Sequence, residues 1–113
     1  MIFVDRNQKR IELTDSEILI SRADDKWRRG YSRIIPYSSV QEVVFQKGFL
    51  FREGFFSLIT ISGGITEAQY DNSKNRWSLA LEDETTFNFD NKDFLEIDKL
   101  IFYINQKISK VTE

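Results

Sequence analysis

Ile34-Ile35-Pro36-Tyr37-Ser38-Ser39-Val40-Gln41-Glu42-Val43 holds the chain's only proline, and its reading decides the fold. Proline fixes φ and lacks a backbone donor, so Pro36 belongs at a strand end or on a sheet edge. Tyr37-Ser38-Ser39 suits a short turn. A strand then opens at Val40, runs to Gln46 with Val43 and Phe45 on one face, and stops at Lys47-Gly48. Strand, corner, strand is how a small β barrel or sandwich changes direction.

The neighbouring segments agree with that reading. Arg10–Leu13 alternates, with Ile11 and Leu13 on one face, and Thr14-Asp15-Ser16-Glu17 is a turn before Ile18–Ile20. Residues 10–21 therefore predict a hairpin. Asp24–Gly30 is a charged loop leading to the corner. Beyond the corner, Phe55–Ser62 predicts a strand closing at Gly63-Gly64, with Phe56 and Leu58 on one face and Phe55, Ile59 and Ile61 on the other. Asp71–Asn75 is a dense turn signal. Trp77, Leu79 and Leu81 alternate, as do Phe87 and Phe89, so the two runs predict a hairpin around Glu82-Asp83-Glu84.

The period then changes. Phe94, Ile97, Ile101, Ile104, Ile108 and Val111 follow alternating steps of three and four, the stripe of an amphipathic helix. Asp90 or Asn91 is suited to cap it, and Asp93 and Glu96 favour its positive end. A helix with such a stripe is not stable alone, so it should close one opening of the β structure. The expected fold class is mainly β with a C-terminal helix, in one domain spanning residues 1–113.

Composition removes several chemistries. The chain has no cysteine and no histidine, so it lacks disulfides, thiolate nucleophiles and the commonest metal ligand and general base. Sixteen basic against eighteen acidic side chains leave a net charge of −2, which argues against nucleic acid as a partner. No apolar run approaches the roughly 18 residues that span a bilayer, and the first residues lack the order of a signal peptide. A cytoplasmic protein that is not an enzyme is the expectation.

Taken in order, the motifs resemble those of bacterial pleckstrin-homology-like (PH-like) domains, in particular an uncharacterised bacterial family. The resemblance is carried by Gly30, Ile35-Pro36-Tyr37-Ser38-Ser39-Val40, Val43, Gly54-Phe55-Phe56, Gly63-Gly64, the strands Trp77–Leu81 and Phe87–Phe89, and a helix beginning near Asp93. It covers roughly residues 10–110. It implies a strongly bent, barrel-like sandwich of about seven antiparallel strands capped by one helix. It implies no catalytic residue and no cofactor.

Two sets of apolar residues fall outside that expected core. Phe49, Leu50 and Phe51 lie near a turn, where burial is hard, and Leu95 and Phe102 fall opposite the helix stripe. These five form the candidate partner surface, for a protein partner or a homo-oligomer. Lys26, Arg28, Arg29 and Arg33, interleaved with Trp27 and Tyr31, form a candidate anion-binding loop for a membrane surface or a lipid headgroup. The plainer reading is a solvated loop with Trp27 packed over the core edge. Asp71-x-Ser73-x-Asn75 with Glu82 echoes a calcium loop, but Arg76 stands where glycine is needed, so no metal site is expected. Glu82-Asp83-Glu84 reads as a solvated hairpin tip.

Overall fold

The computed structural model describes residues 1–48, 53–61, 63–66, 69 and 83–112. Seven strands are present among them: β1 Ile2–Val4, β2 Arg10–Leu13, β3 Glu17–Arg22, β4 Tyr31–Pro36, β5 Glu42–Gln46, β6 Gly54–Ile59 and β7 Thr86–Phe89. Every pairing is antiparallel, in a four-stranded sheet ordered β1-β2-β3-β4 and a three-stranded sheet ordered β5-β6-β7. The described strands do not close into a barrel; the architecture is two sheets and one helix, α1, Phe94–Thr112.

The corner separates the two sheets. Pro36 ends β4, Tyr37–Ser39 forms one 3-10 turn, and β5 begins at Glu42, two residues later than expected. Gln41 is drawn to the end of β6 instead, where its N–H donates to the Ile59 carbonyl at 2.8 Å. The buried Tyr37 donates its hydroxyl to the Thr14 carbonyl at 2.7 Å. Helix residue Tyr103 points its hydroxyl at the same carbonyl and at Asp15 Oδ1, 3.2 Å away. Corner, helix and β2–β3 turn are thus fastened at one point.

The hairpin of β2 and β3 follows the expected alternation. Ile11 pairs with Ile20 and Leu13 with Ile18, and all four are buried. Phe3, Phe56, Leu58, Phe87 and Phe89 meet them from the other strands. Phe56 stacks on Phe87 with ring centroids 5.0 Å apart, and Phe45 stacks on Phe89 at 5.8 Å. From α1, Ile97, Leu100 and Ile104 are buried in the same cluster, with Phe94, Ile101 and Ile108 packed at its margin. The apolar stripe therefore faces the sheets, as its spacing requires.

Both faces of β6 are covered. Phe56 and Leu58 enter the main core, while Phe55 packs with Ile65 and Val44 on the far side. Gly54 is required by close packing: a Cβ there would sit 2.6 Å from the Phe89 ring and 2.8 Å from the Gln46 carbonyl. Gly64 has φ +118°, a backbone region that favours glycine. β6 ends at Ile59 rather than Ser62, because Thr60 bridges back to Gly63 and Ile61 turns out to solvent.

One strand was not anticipated, and two local expectations need correction. β1 carries too few residues to show a period, yet it pairs with β2 along its length. Asp90 does not cap the helix with its side chain; its carboxylate accepts from Arg6, and a 3-10 turn over Asn91–Asp93 leads into α1. Asp83 is half-buried and hydrogen-bonded rather than a solvated tip residue. The expected strand Trp77–Leu81 and residue Glu82 lie outside the described residues.

Candidate functional site

Leu95 and Phe102 stand on the face of α1 turned away from the sheets, 73% and 64% exposed. The geometry follows from the helix period: the stripe claims one side, and residues seven apart return to nearly the same angle on the other. Asp98, Lys99 and Gln106 share that outer face and are exposed. Beside Phe102 lies a groove of about 450 Å³, lined by Met1, Asp98, Ile101, Phe102 and Gln106 among others. Phe49, Leu50 and Phe51, the other half of the candidate partner surface, lie outside the described residues.

The four cations of the candidate anion-binding loop are not brought together. Lys26, Arg28 and Arg29 are exposed on the β3–β4 loop, around a shallow depression they share with Asp24 and Asp25. The two aspartates build the loop. Asp25 Oδ1 accepts the N–H groups of Trp27 and Arg28, each at 2.7 Å, and Asp24 accepts from Gly30. Those backbone donors hold the Asp25 carboxyl below its usual pKa. Trp27 is 86% exposed and does not pack over the core edge. Arg33 belongs to β4, where its guanidinium pairs with Glu84 at 3.1 Å and lies over the Tyr31 ring.

A cleft of about 470 Å³ opens between β4 and the segment before β7, lined by Arg33, Ile35, Pro36, Thr60, Asp83 and Glu84 among others. Its carboxylates are engaged. Glu84 holds Arg33, and Asp83 Oδ1 accepts the Thr85 N–H and hydroxyl, each at 2.9 Å, and the Thr86 hydroxyl at 3.2 Å. The chain continues inward: Ser57 Oγ lies 3.0 Å from Thr86 Oγ1, and the Ile65 N–H donates to Ser57 Oγ at 2.8 Å. This ladder explains how the hydroxyls of Ser57 and Thr86 are buried in the β6–β7 strand pair.

The strongest polar feature is one that sequence reasoning missed. Lys9 is fully buried, although nothing in Gln8-Lys9-Arg10 separates it from a surface lysine. The β1–β2 turn causes this. Asp5 Oδ1 accepts the N–H groups of Asn7 and Lys9, Gln8 takes φ +66°, and Lys9 is thereby aimed between the sheets. Its Nζ donates to the carbonyls of Asp83, at 2.9 Å, and Thr86, and lies 5.3 Å from the Phe87 ring centre. Burial lowers its pKa to about 8, against the opposing pull of Asp5 and Asp83, and burial raises that of Asp5. Arg6, next door, bridges Glu53 and Asp90 on the surface. The turn is a two-pronged clasp across the sheets.

A second unanticipated feature is a row of three apolar side chains and one glutamate on the outer face of the larger sheet. Ile2 pairs with Glu12, Glu12 with Leu19 and Leu19 with Ile34, so the four side chains line up across the strands. Ile2 and Ile34 are 49% and 64% exposed.

Among the described residues no group of acidic side chains has the arrangement of a metal site, and the calcium-like run 71–82 lies outside them. No described helix is long and apolar enough to cross a membrane. Compared with known proteins, the chain is matched by no protein-family model, no curated protein and no solved structure.

Proposed function

We propose that this chain is a non-enzymatic PH-like module that works by protein contacts, with the outer face of α1 as its working surface. One observation carries the reading. The helix buries Ile97, Leu100 and Ile104, yet leaves Leu95 and Phe102 in water on the opposite side. Desolvating two such side chains favours association by about 2–4 kcal/mol before the costs of ordering. The PH-like assignment is supported by element order: four antiparallel strands, a proline corner, three more strands, and one helix packed across the opening. The strongly bent sandwich of this family, capped by the helix, is the finer form of that architecture. A cytoplasmic setting goes with a chain that carries no cysteine.

A second reading has an observation of its own. Trp27 projects from the β3–β4 loop with Lys26, Arg28 and Arg29 beside it, a combination suited to an anionic membrane surface. Salt separates the two, since apolar docking persists where exposed charge is screened. The test is affinity capture from a bacterial lysate in about 0.5 M salt, where the Debye length falls to a few ångströms. Wild-type protein should retain a defined partner that the Leu95→Glu/Phe102→Glu variant loses and the Lys26→Glu/Arg28→Glu/Arg29→Glu variant keeps. Equal retention by all three would remove the helix face from the proposal.

A further inference from the structure

We infer that the partner of the α1 outer face is a second copy of this chain, paired helix to helix across a two-fold axis that passes between Asp98 and Lys99. The inference rests on the helix face being a contact surface, and it names the occupant.

The argument is self-complementarity. An interface with two-fold symmetry must present the same patch twice, so each residue needs its complement on the same surface. For two antiparallel helices, residues that face one another have a constant sum of residue numbers. If Leu95 faces Phe102 of the second copy, the same sum sets Asp98 against Lys99. The apolar contact and the charge contact are then each made twice. All four residues lie within about 100° of arc on the outer face, given the period of the helix. Neighbouring centres do worse: moving the axis by half a residue sets Asp98 against Asp98 or Lys99 against Lys99.

The surroundings fit the same register. Asp98 and Lys99 form no ion pair among the described residues, so both charges are available to a second copy. The groove beside Phe102 is lined by residues one turn to either side of it, including Asp98, Lys99, Asn105 and Gln106. That is where Leu95 of the second copy would sit. Met1 supplies a further half-exposed apolar wall from the sheet side. Two large apolar side chains per copy make a small interface, so the dimer should be weak, with a Kd on the order of 0.1 mM.

Sedimentation equilibrium between about 10 µM and 1 mM, bracketing that Kd, should show reversible dimerisation of the wild-type chain. Asp98→Lys and Lys99→Asp should each weaken it about tenfold or more, because each turns two attractions into two repulsions. Mixing the two variants in equal amounts should restore a heterodimer of near wild-type affinity. Both positions are exposed on the helix, so unchanged circular dichroism and unfolding midpoints are expected and are checked first. A wild-type monomer at the top of the range overturns the inference, even if the helix face captures another protein. So does a dimer that survives Phe102→Glu, or a variant mixture that associates no better than its components.

Discussion

Lys9 shows how much a single side chain can hide. A buried ammonium is costly unless it is hydrogen-bonded, and here two carbonyls from the β7 side accept from it. Its pKa of about 8 in the folded chain is below the 10.5 of a free lysine. The unfolded chain therefore holds the extra proton between those values, and stability should rise with pH across that window. The gain from pH 7 to 10 should be about 2 kcal/mol. Tyr31 and Tyr37 are pushed by burial to about 12, so they act oppositely, reducing stability above pH 10. Comparing urea unfolding of the wild type with Lys9→Met cancels the tyrosines. The difference in pH slope isolates Lys9 from Asp5, Asp83, Arg22 and Glu84, which surround it. Equal slopes would mean that the ammonium is solvated. Nothing in the sequence marked this residue, since the hydrophobic pattern assigns no role to a lone lysine after a turn. The signal was the turn itself: in Asp5-x-Asn7 the Asp5 carboxylate accepts the Asn7 N–H and so fixes the local backbone.

At the level of elements, long periodic runs were readable and short ones were not. The β2–β3 hairpin and the stripe of α1 follow from spacing, because burial on one face imposes a period. β6 and β7 are buried on both faces, so their apolar runs marked strands without marking an outer side. β1 has three residues, which is below what a period can show. Leu100 escaped the stripe for a related reason. It fills the gap between Ile97 and Ile104 on the same side, and a stripe read as strict steps leaves it out. The two faces of α1 should respond oppositely to substitution. Ile104→Ala empties a fully buried site and should cost about 2–4 kcal/mol of unfolding free energy. Phe102→Glu, on the wet face, should change stability by less than about 0.5 kcal/mol. Thermal or urea denaturation of the two variants checks both. A large loss from Phe102→Glu would place that ring in the core.

For the whole molecule, the proline corner was the most productive reading, because it divides the seven described strands into two sheets and packs against the helix that bridges them. Part of the site was legible as well. Leu95 and Phe102 stand out from the helical period alone, and they are exposed as that period requires. The basic run 26–33 misled as a unit, because sequence adjacency spans a loop and a strand. Arg33 leaves with β4 to pair with Glu84. What a pattern cannot supply is the register between sheets, which sets the Lys9 and Arg6 clasp. The central claim is that one helix plugs the sandwich with one face and offers the other for contact. Because the chain has no cysteine, single cysteines placed at positions 95, 97, 100, 102 and 104 would report on each face without interference. The most direct measurement is their rate of thiol labelling in the native protein. Positions 97, 100 and 104 should react about 100-fold or more slowly, limited by opening of the core, while 95 and 102 react like free thiols in dilute solution. Equal rates at all five positions would contradict the claim.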